Sequence, residues 1–153
     1  MKVGSIQQAE ERYGPIINGK WKNETHWMTS LTIDPVISFH WRNNTTGRPA
    51  NRIYCNKDMV YPLTEALDKI VEAKLEQELD TFDGCFCIRN VRGADSISAH
   101  AYGLAIDINA ATNQLGKTPS LSPELVKCFI SSGFTWGGNF KRPDGMHFSY
   151  CWE

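Results

Sequence analysis

Three side chains in the second half of the sequence are of the types that bind a metal ion. Asp107 lies in the stretch 104–109, where Leu, Ile and Ile alternate with small or polar residues. His147 lies in the stretch 146–151, where Met, Phe and Tyr alternate with His, Ser and Cys. Alternate residues of a strand point to opposite faces, so both polar side chains emerge opposite the apolar faces. If those apolar faces share one core, Asp107, His147 and the nearby His100 converge.

Two imidazoles and one carboxylate, with a fourth position left for water, are the make-up of a catalytic zinc site. A structural zinc site normally has four protein ligands, usually including Cys. Zinc lowers the pKa of bound water to about 7 and polarises a carbonyl, and both effects serve amide hydrolysis. The alternative is that each histidine is a hydrogen-bonded structural residue and that Asp107 is a buried, paired carboxylate.

A hydrolytic zinc site also needs a group that carries a proton. Asp144 lies three residues before His147, in the turn that leads into the same predicted strand. It could sit over the metal without being a ligand, although Pro-Asp-Gly is also a common turn sequence. The sequence contains no H-E-x-x-H motif, which excludes the common helical metalloprotease arrangement.

The predicted elements around these residues are short. Proline, glycine and asparagine separate runs of alternating apolar residues, a pattern typical of strands and turns. We predict strands in 27–33, 36–41, 85–89, 104–109, 134–136 and 146–151, and loops or turns at 34–35, 43–49 (with Gly47), 92–98 and 142–145.

Two segments have the spacing of an amphipathic helix. One opens at Pro62 and continues to Leu75; the other opens at Ser122-Pro123, an N-cap followed by proline, and ends near Gly133. Residues 1–25 are polar and give no clear assignment. The resulting fold class is α+β: a small, mostly antiparallel sheet with helices packed on one side and the zinc site on the open face.

Two ordered motifs resemble the family of zinc D-Ala-D-Ala carboxypeptidases and L-alanyl-D-glutamate endopeptidases, which includes many bacteriophage endolysins. They are Ser98-x-His100-x-x-Gly103-x-Ala105-x-Asp107 and Asp144-x-x-His147-Phe148. The surrounding segments 88–93, 107–109 and 133–138 match as well. The resemblance covers a catalytic core at 50–150 of a single domain, 1–153, whose first 45 residues are a weakly covered extension.

The resemblance implies that His100, Asp107 and His147 bind Zn²⁺ and that Asp144 is the general base and then the general acid. It also implies an arginine that holds the scissile carbonyl or its oxyanion, with Arg89 as the first choice and Arg92 as the second. Ser98 would face the same cleft and bind substrate, or else cap a loop.

Two aromatic residues and one departure from the family pattern complete the expected site. Trp136 and Trp152 could line the substrate groove, although core packing is the commoner role of such residues. The family often has Glu two residues after the last histidine, and this position is Ser149 here. If that Glu normally orients a metal-binding histidine, a hydroxyl or a water molecule must replace it.

The activity implied by the resemblance is hydrolysis of the stem peptide of bacterial peptidoglycan. We expect internal cleavage between L-Ala and D-Glu, as in a phage endolysin. The alternatives are release of the terminal D-Ala and, from a different functional class, a zinc-stabilised binding module without catalysis, since the hedgehog signalling domain uses the same scaffold. Retention of Asp144 favours an enzyme.

Composition limits the partners and the location. The chain has 153 residues and a formal net charge of -1 without a run of five like charges, so we expect no nucleic-acid partner. Its N-terminal residues contain no continuous apolar stretch, so we expect synthesis in the cytoplasm without a signal peptide, no membrane association, and action on the wall after the membrane is breached. We expect a monomer.

The five cysteines, Cys55, Cys85, Cys87, Cys128 and Cys151, include no CxxC pair. Small buried hydrophobic residues are therefore a better interpretation than a zinc knuckle or a disulfide framework. We also predict that Cys85 and Cys87 share one face of a strand.

Overall fold

In the computed structural model of the protein, which describes residues 1–42 and 49–153, the helices and strands are short and their order mixes the two types. The α-helices in this part of the chain are α1 (Ile6–Tyr13), α2 (Glu24–Trp27), α3 (Lys57–Glu72) and α4 (Pro123–Ile130). The strands are β1 (Ile16–Ile17), β2 (Lys20–Trp21), β3 (Met28–Thr32), β4 (His40–Trp41), β5 (Arg52–Asn56), β6 (Thr81–Gly84), β7 (Ala105–Ile108), β8 (Thr135–Trp136) and β9 (His147–Ser149). The loop predicted at 43–49 lies, except for Pro49, outside the described residues.

The largest sheet has five strands in the order β4-β6-β7-β9-β8. Only the β4–β6 pair is parallel, and the other three pairs are antiparallel. Two smaller antiparallel pairs, β1–β2 and β3–β5, lie outside this sheet. The predicted α+β class with a small, mostly antiparallel sheet is therefore confirmed.

The main core lies between one face of this sheet and the helices α3 and α4. Ile106 and Ile108 of β7 and Phe148 of β9 are fully buried there together with the apolar faces of both helices. Phe129 of α4 stacks on Phe148 with 4.1 Å between ring centroids. Since the helices cover this face, the opposite side chains of β7 and β9 are left to build a site. No helix in the described residues is long and apolar enough to cross a membrane.

The helix α4 confirms the prediction, whereas α3 begins earlier than predicted. Ser122 caps α4 by accepting a hydrogen bond from Leu125 N. The start predicted for α3, Pro62, is wrong, because Asn56 caps this helix by accepting from Asp58 N and Pro62 is its sixth residue. Proline inside a helix removes one hydrogen bond. Burial of the apolar face of α3 against the core outweighs that cost.

The strand predicted at Cys85–Arg89 is also wrong, because the strand lies four residues earlier, in Thr81–Gly84. A bulge between Phe82 and Gly84 shifts the register of the pairing with β7, and the strand ends at Gly84. The chain then runs beside the metal-motif loop, where Cys87 N donates to His100 O. Cys85 is buried and Cys87 is exposed, so the two do not share a face. All five cysteines carry free thiols, and the other three are buried.

The N-terminal residues, which gave no clear assignment, form α1 and the β1–β2 hairpin. Ser5 caps α1, and Tyr13 at its end is fully buried in a second core cluster with Trp21 and Tyr102. Tyr102 belongs to a short 3₁₀ turn that also carries His100. The N-terminal segment therefore packs directly against the loop of the first metal motif.

A hydrogen-bonded ion pair fixes α1 to α3. Arg12 donates to both carboxylate oxygens of Asp58, at 2.6 and 3.0 Å, and the Tyr13 hydroxyl donates to the same group at 2.7 Å. Burial alone would raise the pKa of Asp58, but the hydrogen bonds from Arg12 and Tyr13 outweigh this effect and lower it. The ionised carboxylate is thus the form that the fold stabilises.

We predict that Asp58→Asn lowers the free energy of unfolding at pH 7 by about 1.5–3 kcal/mol, the usual contribution of hydrogen bonds to a charged group. Because the pKa of Asp58 is depressed in the folded state, its contribution is present above the unfolded pKa of about 3.9 and is lost as the pH falls further. Urea unfolding at pH 7 and at progressively lower pH measures both effects. The exposed Asp68 on the same helix provides the control, Asp68→Asn, and equal stability of the two variants at pH 7 would contradict the prediction.

Candidate metal centre and active-site cleft

The antiparallel pairing of β7 with β9 places Asp107 directly opposite His147. His147 Nδ1 lies 3.2 Å from Asp107 Oδ1, and His100 Nε2 lies 3.2 Å from Asp107 Oδ2. The two imidazoles are themselves 3.2 Å apart, between His147 Nδ1 and His100 Nε2. One ligand atom from each residue therefore lies within 4.8 Å of the other two, a spacing that could hold a metal ion.

A left-handed glycine brings His100 to this pair. His100 lies in the 3₁₀ turn Ala99–Tyr102, and Ser98 opens the turn by accepting a hydrogen bond from His100 N. Gly103 closes the turn at φ 66°, a conformation that L side chains rarely adopt. A Cβ at Gly103 would also lie only 2.6 Å from the side chain of Met28. Glycine at 103 is therefore required for the chain to turn directly from His100 into β7.

The outer nitrogen of each imidazole has an acceptor of its own. His100 Nδ1 lies 2.7 Å from the backbone carbonyl of Cys85, and His147 Nε2 bonds to the carboxylate of Glu153. These partners favour a proton on the outer nitrogen and leave the inner nitrogen to face Asp107. Metal-binding histidines in proteins are almost always held in this way. The donor set and its supports thus fit a zinc ion.

The electrostatics of the group favour a positive charge at its centre. Burial opposes the charged forms of Asp107 and His147. The charges and hydrogen bonds of His100 and His147 nevertheless hold the pKa of Asp107 well below its ordinary value. The hydrogen bonds that Asp107 and Glu153 accept from His147 outweigh burial and raise the pKa of His147 to about 10. Either a proton or a metal ion supplies a positive charge beside Asp107, and a divalent ion can interact with His100, Asp107 and His147 at once.

Asp144 stands in the same cleft but outside the three-residue group. Its backbone N–H donates to Gly137 O at 2.8 Å, and its carbonyl accepts from His147 N at 3.1 Å. Burial raises the pKa of Asp144; His147 opposes this shift and the charge of Asp107 adds to it. A half-buried carboxylate with a raised pKa suits a group that must accept and return a proton.

Gly137 makes the approach of Asp144 to His147 possible. A Cβ at this position would lie 2.5 Å from the Asp144 carbonyl oxygen and 3.2 Å from His147 Cβ. The first distance is one that real side chains essentially never adopt, so any larger residue would push the turn at Asp144 away from β9. In the sequence, Gly137 stood out only as part of a matching segment, and no role had been assigned to it.

The remaining predicted site residues separate into two groups. Arg89, Arg92 and Ser98 line a cleft of about 310 Å³ together with Asp107, Asp144 and His147. Ser98 is buried, Arg89 is half-buried and Arg92 is exposed. The structure thus brings Asp107 and His147 of the metal group, the candidate base and both candidate arginines to one concave surface.

Trp136 does not reach this cleft. In the sheet it pairs with Phe148, so its side chain lies on the helix-covered face, opposite His147. Its ring stacks near Phe148 at 6.4 Å, and its Nε1 donates to Gly145 O. Trp152 packs beside Tyr102 in the second core cluster. Both indoles are packing residues in this fold, and the predicted substrate contact of Trp136 has no counterpart.

Sequence reasoning missed three charged residues of the cleft. Lys141 and Arg142 are exposed residues of the loop before Asp144, and Glu153 follows β9. The run Lys141-Arg142 was visible in the sequence, next to the Pro-Asp-Gly turn. No sequence pattern marked Glu153, because its contact with His147 depends on how the chain folds back after β9.

Residues 92–150 match a family model described as D-alanyl-D-alanine carboxypeptidase. The matched segment contains the whole metal group and Asp144, whereas Arg89 and Glu153 lie outside it. No curated protein and no solved structure shows significant similarity to the chain. The match confirms the resemblance drawn from the two motifs over these residues and supports a zinc metallopeptidase activity.

We predict that the protein binds one zinc ion per chain and that His147→Ala abolishes this binding, because the variant removes a ligand and leaves two. Elemental analysis of protein purified without chelator, before and after addition of zinc, measures the content. His26→Ala is the matched control, since His26 lies in α2 against Trp27 and outside the metal group. Wild-type protein that stays metal-free under both conditions would count against the site.

Proposed function

We propose that the protein hydrolyses the stem peptide of bacterial peptidoglycan between L-Ala and D-Glu, as an endolysin that reaches the wall once the membrane is breached. The observation that carries the proposal is a His-Asp-His group whose Asp107 and His147 line one cleft, together with a separate carboxylate, Asp144, in the same lining. The family match supports a peptidase of the peptidoglycan-cleaving kind.

Each residue then has a distinct task. His100, Asp107 and His147 would hold Zn²⁺, which when bound polarises a carbonyl and makes water more acidic. Asp144 accepts the proton of the attacking water and returns it to the leaving amine. Arg89, or Arg92 beside it, donates hydrogen bonds to the oxygen on which negative charge develops. The Ser98 hydroxyl already bonds His100 N, so its first task is to shape the turn that presents His100.

The charges around the cleft favour the internal bond over the terminal one. Arg89, Arg92, Lys141 and Arg142 all line it, although the chain as a whole has a net charge of -1. A terminal D-Ala offers a single carboxylate to this set. Cleavage before D-Glu leaves a fragment with further carboxylates on the leaving side, which gives several of these cations a partner.

Mass spectrometry of the fragments from purified peptidoglycan tests the bond that is cut. We expect stem peptides that begin with D-Glu and glycan strands that keep L-Ala, without free D-Ala. Free D-Ala as the main product would instead assign a carboxypeptidase. If the protein sediments with the walls and produces no new fragment, it is a non-catalytic binding module and the proposal is wrong.

We predict that Asp144→Asn keeps its zinc and its melting temperature but loses about 10²–10⁴-fold in turnover, the usual contribution of a positioned acid-base group. Asparagine keeps the size of the side chain and suits the turn, but it does not accept the proton. Hydrolysis of a purified stem peptide, zinc content and thermal melting are measured together.

The comparison variant is His100→Ala, which we expect to lose zinc and activity together because it lacks a ligand. If Asp144→Asn keeps near wild-type turnover, Asp144 is only a turn residue and does not carry the proton. Loss of zinc from Asp144→Asn would instead make Asp144 a ligand, and the three-residue metal group would then be misassigned.

A further inference from the structure

His147 has two nitrogen atoms with different surroundings, and one of them contacts Glu153, which lies outside the segment matched by the family model. Nδ1 faces Asp107 and His100, inside the metal group. Nε2 faces away from that group and bonds to Oε2 of Glu153. The side chain of Glu153 is only 14% exposed, so this contact lies inside the fold and water competes weakly for it.

In the family that the two motifs resemble, a glutamate often occupies the position that is Ser149 here. Ser149 lies two residues after His147 on β9, so both side chains point to the same face of the sheet. Ser149 is fully buried, and its hydroxyl lies near the Glu153 carboxylate without reaching strict hydrogen-bond geometry. The space beside His147 Nε2 is therefore shared by a short side chain from β9 and a long one from Glu153.

We propose that Glu153 is the positioning residue of His147 and that it supplies the carboxylate that Ser149 lacks. Its oxygen accepts the Nε2 proton, which fixes the tautomer of the ring and directs the lone pair of Nδ1 towards Asp107 and His100. A carboxylate acceptor also makes the imidazole a stronger donor to a metal ion. Without Glu153, the outer nitrogen of His147 would lose the one hydrogen-bond partner that it has among the described residues.

Glu153 acts through His147 and is not itself a ligand. Its carboxylate bonds the outer nitrogen of the ring, on the side away from Asp107 and His100. The metal group is complete without it, since the three ligand atoms of His100, Asp107 and His147 already lie within 4.8 Å of one another. The expected consequence of losing Glu153 is therefore weaker binding of zinc by an intact set of three ligands.

The inference rests on the proposed metal centre but not on the bond that the enzyme cuts, so its test uses zinc and no peptide. We expect Glu153→Ala to bind zinc about 10–100-fold more weakly in competition with a coloured chelator, which is the usual effect of removing such a partner. Glu153→Gln keeps a neutral acceptor oxygen and should fall between wild type and Glu153→Ala. The control is Glu72→Ala, which removes an exposed carboxylate at the end of α3 and should bind zinc as wild type does.

A rescue variant separates positioning from general packing. Ser149→Glu combined with Glu153→Ala returns a carboxylate to the space beside Nε2 from the neighbouring position, and we expect it to recover most of the lost affinity. Melting of the zinc-free forms establishes that each variant is folded. Wild-type affinity in Glu153→Ala, or a folded double variant as weak as Glu153→Ala alone, would overturn the proposal. Tight zinc binding with the predicted order of variants, but no cut peptide, would leave it standing while the proposed function fails.

Discussion

The pairing of β7 with β9 is the constraint on which the rest of the site depends. It sets Asp107 against His147 on one face and Ile106 against Phe148 on the other. A slip of β9 by one residue would move Phe148 out of the core and His147 into it. The stacking of Phe129 on Phe148 opposes that slip. The helix-covered core and the metal group thus stabilise the same register from opposite faces of the sheet.

The strand alternation at 104–109 and 146–151 was enough to predict this pair, because a period of two directly encodes which side chains share a face. The same reasoning failed at Cys85–Arg89, whose β-type residues follow a bulge and run beside the His100 loop. It also failed at Pro62, since a proline pattern typical of a helix start was outweighed by the cap at Asn56 and by burial. Local patterns identify faces well, but element ends depend on partners that are distant in sequence.

Contacts that depend on tertiary structure explain what else the sequence did not reveal. The Cys85 carbonyl reaches His100 across 15 positions, and Gly137 is required only because Asp144 folds back against it. Trp136 illustrates the converse case. Its residue type suits a substrate groove, but its pairing with Phe148 fixes it on the core side of the sheet. The residue type of Trp136 suggested a substrate contact, but the register of β8 against β9 places its side chain on the core face instead.

The distribution of charge across the cleft connects the metal group to the substrate. Asp107, Asp144 and Glu153 place carboxylates near the two imidazoles, while the arginines and Lys141 lie around them in the lining. The partly buried acidic groups favour a cation beside the imidazoles, and the more exposed basic groups favour an anionic ligand in the cleft. Under the proposed function, a peptide with several carboxylates would find partners for its negative charges among these exposed basic groups. The carboxylates beside the imidazoles would repel the same negative charges. The amide bond carries no charge, so it is the part of such a peptide best suited to lie beside the metal group.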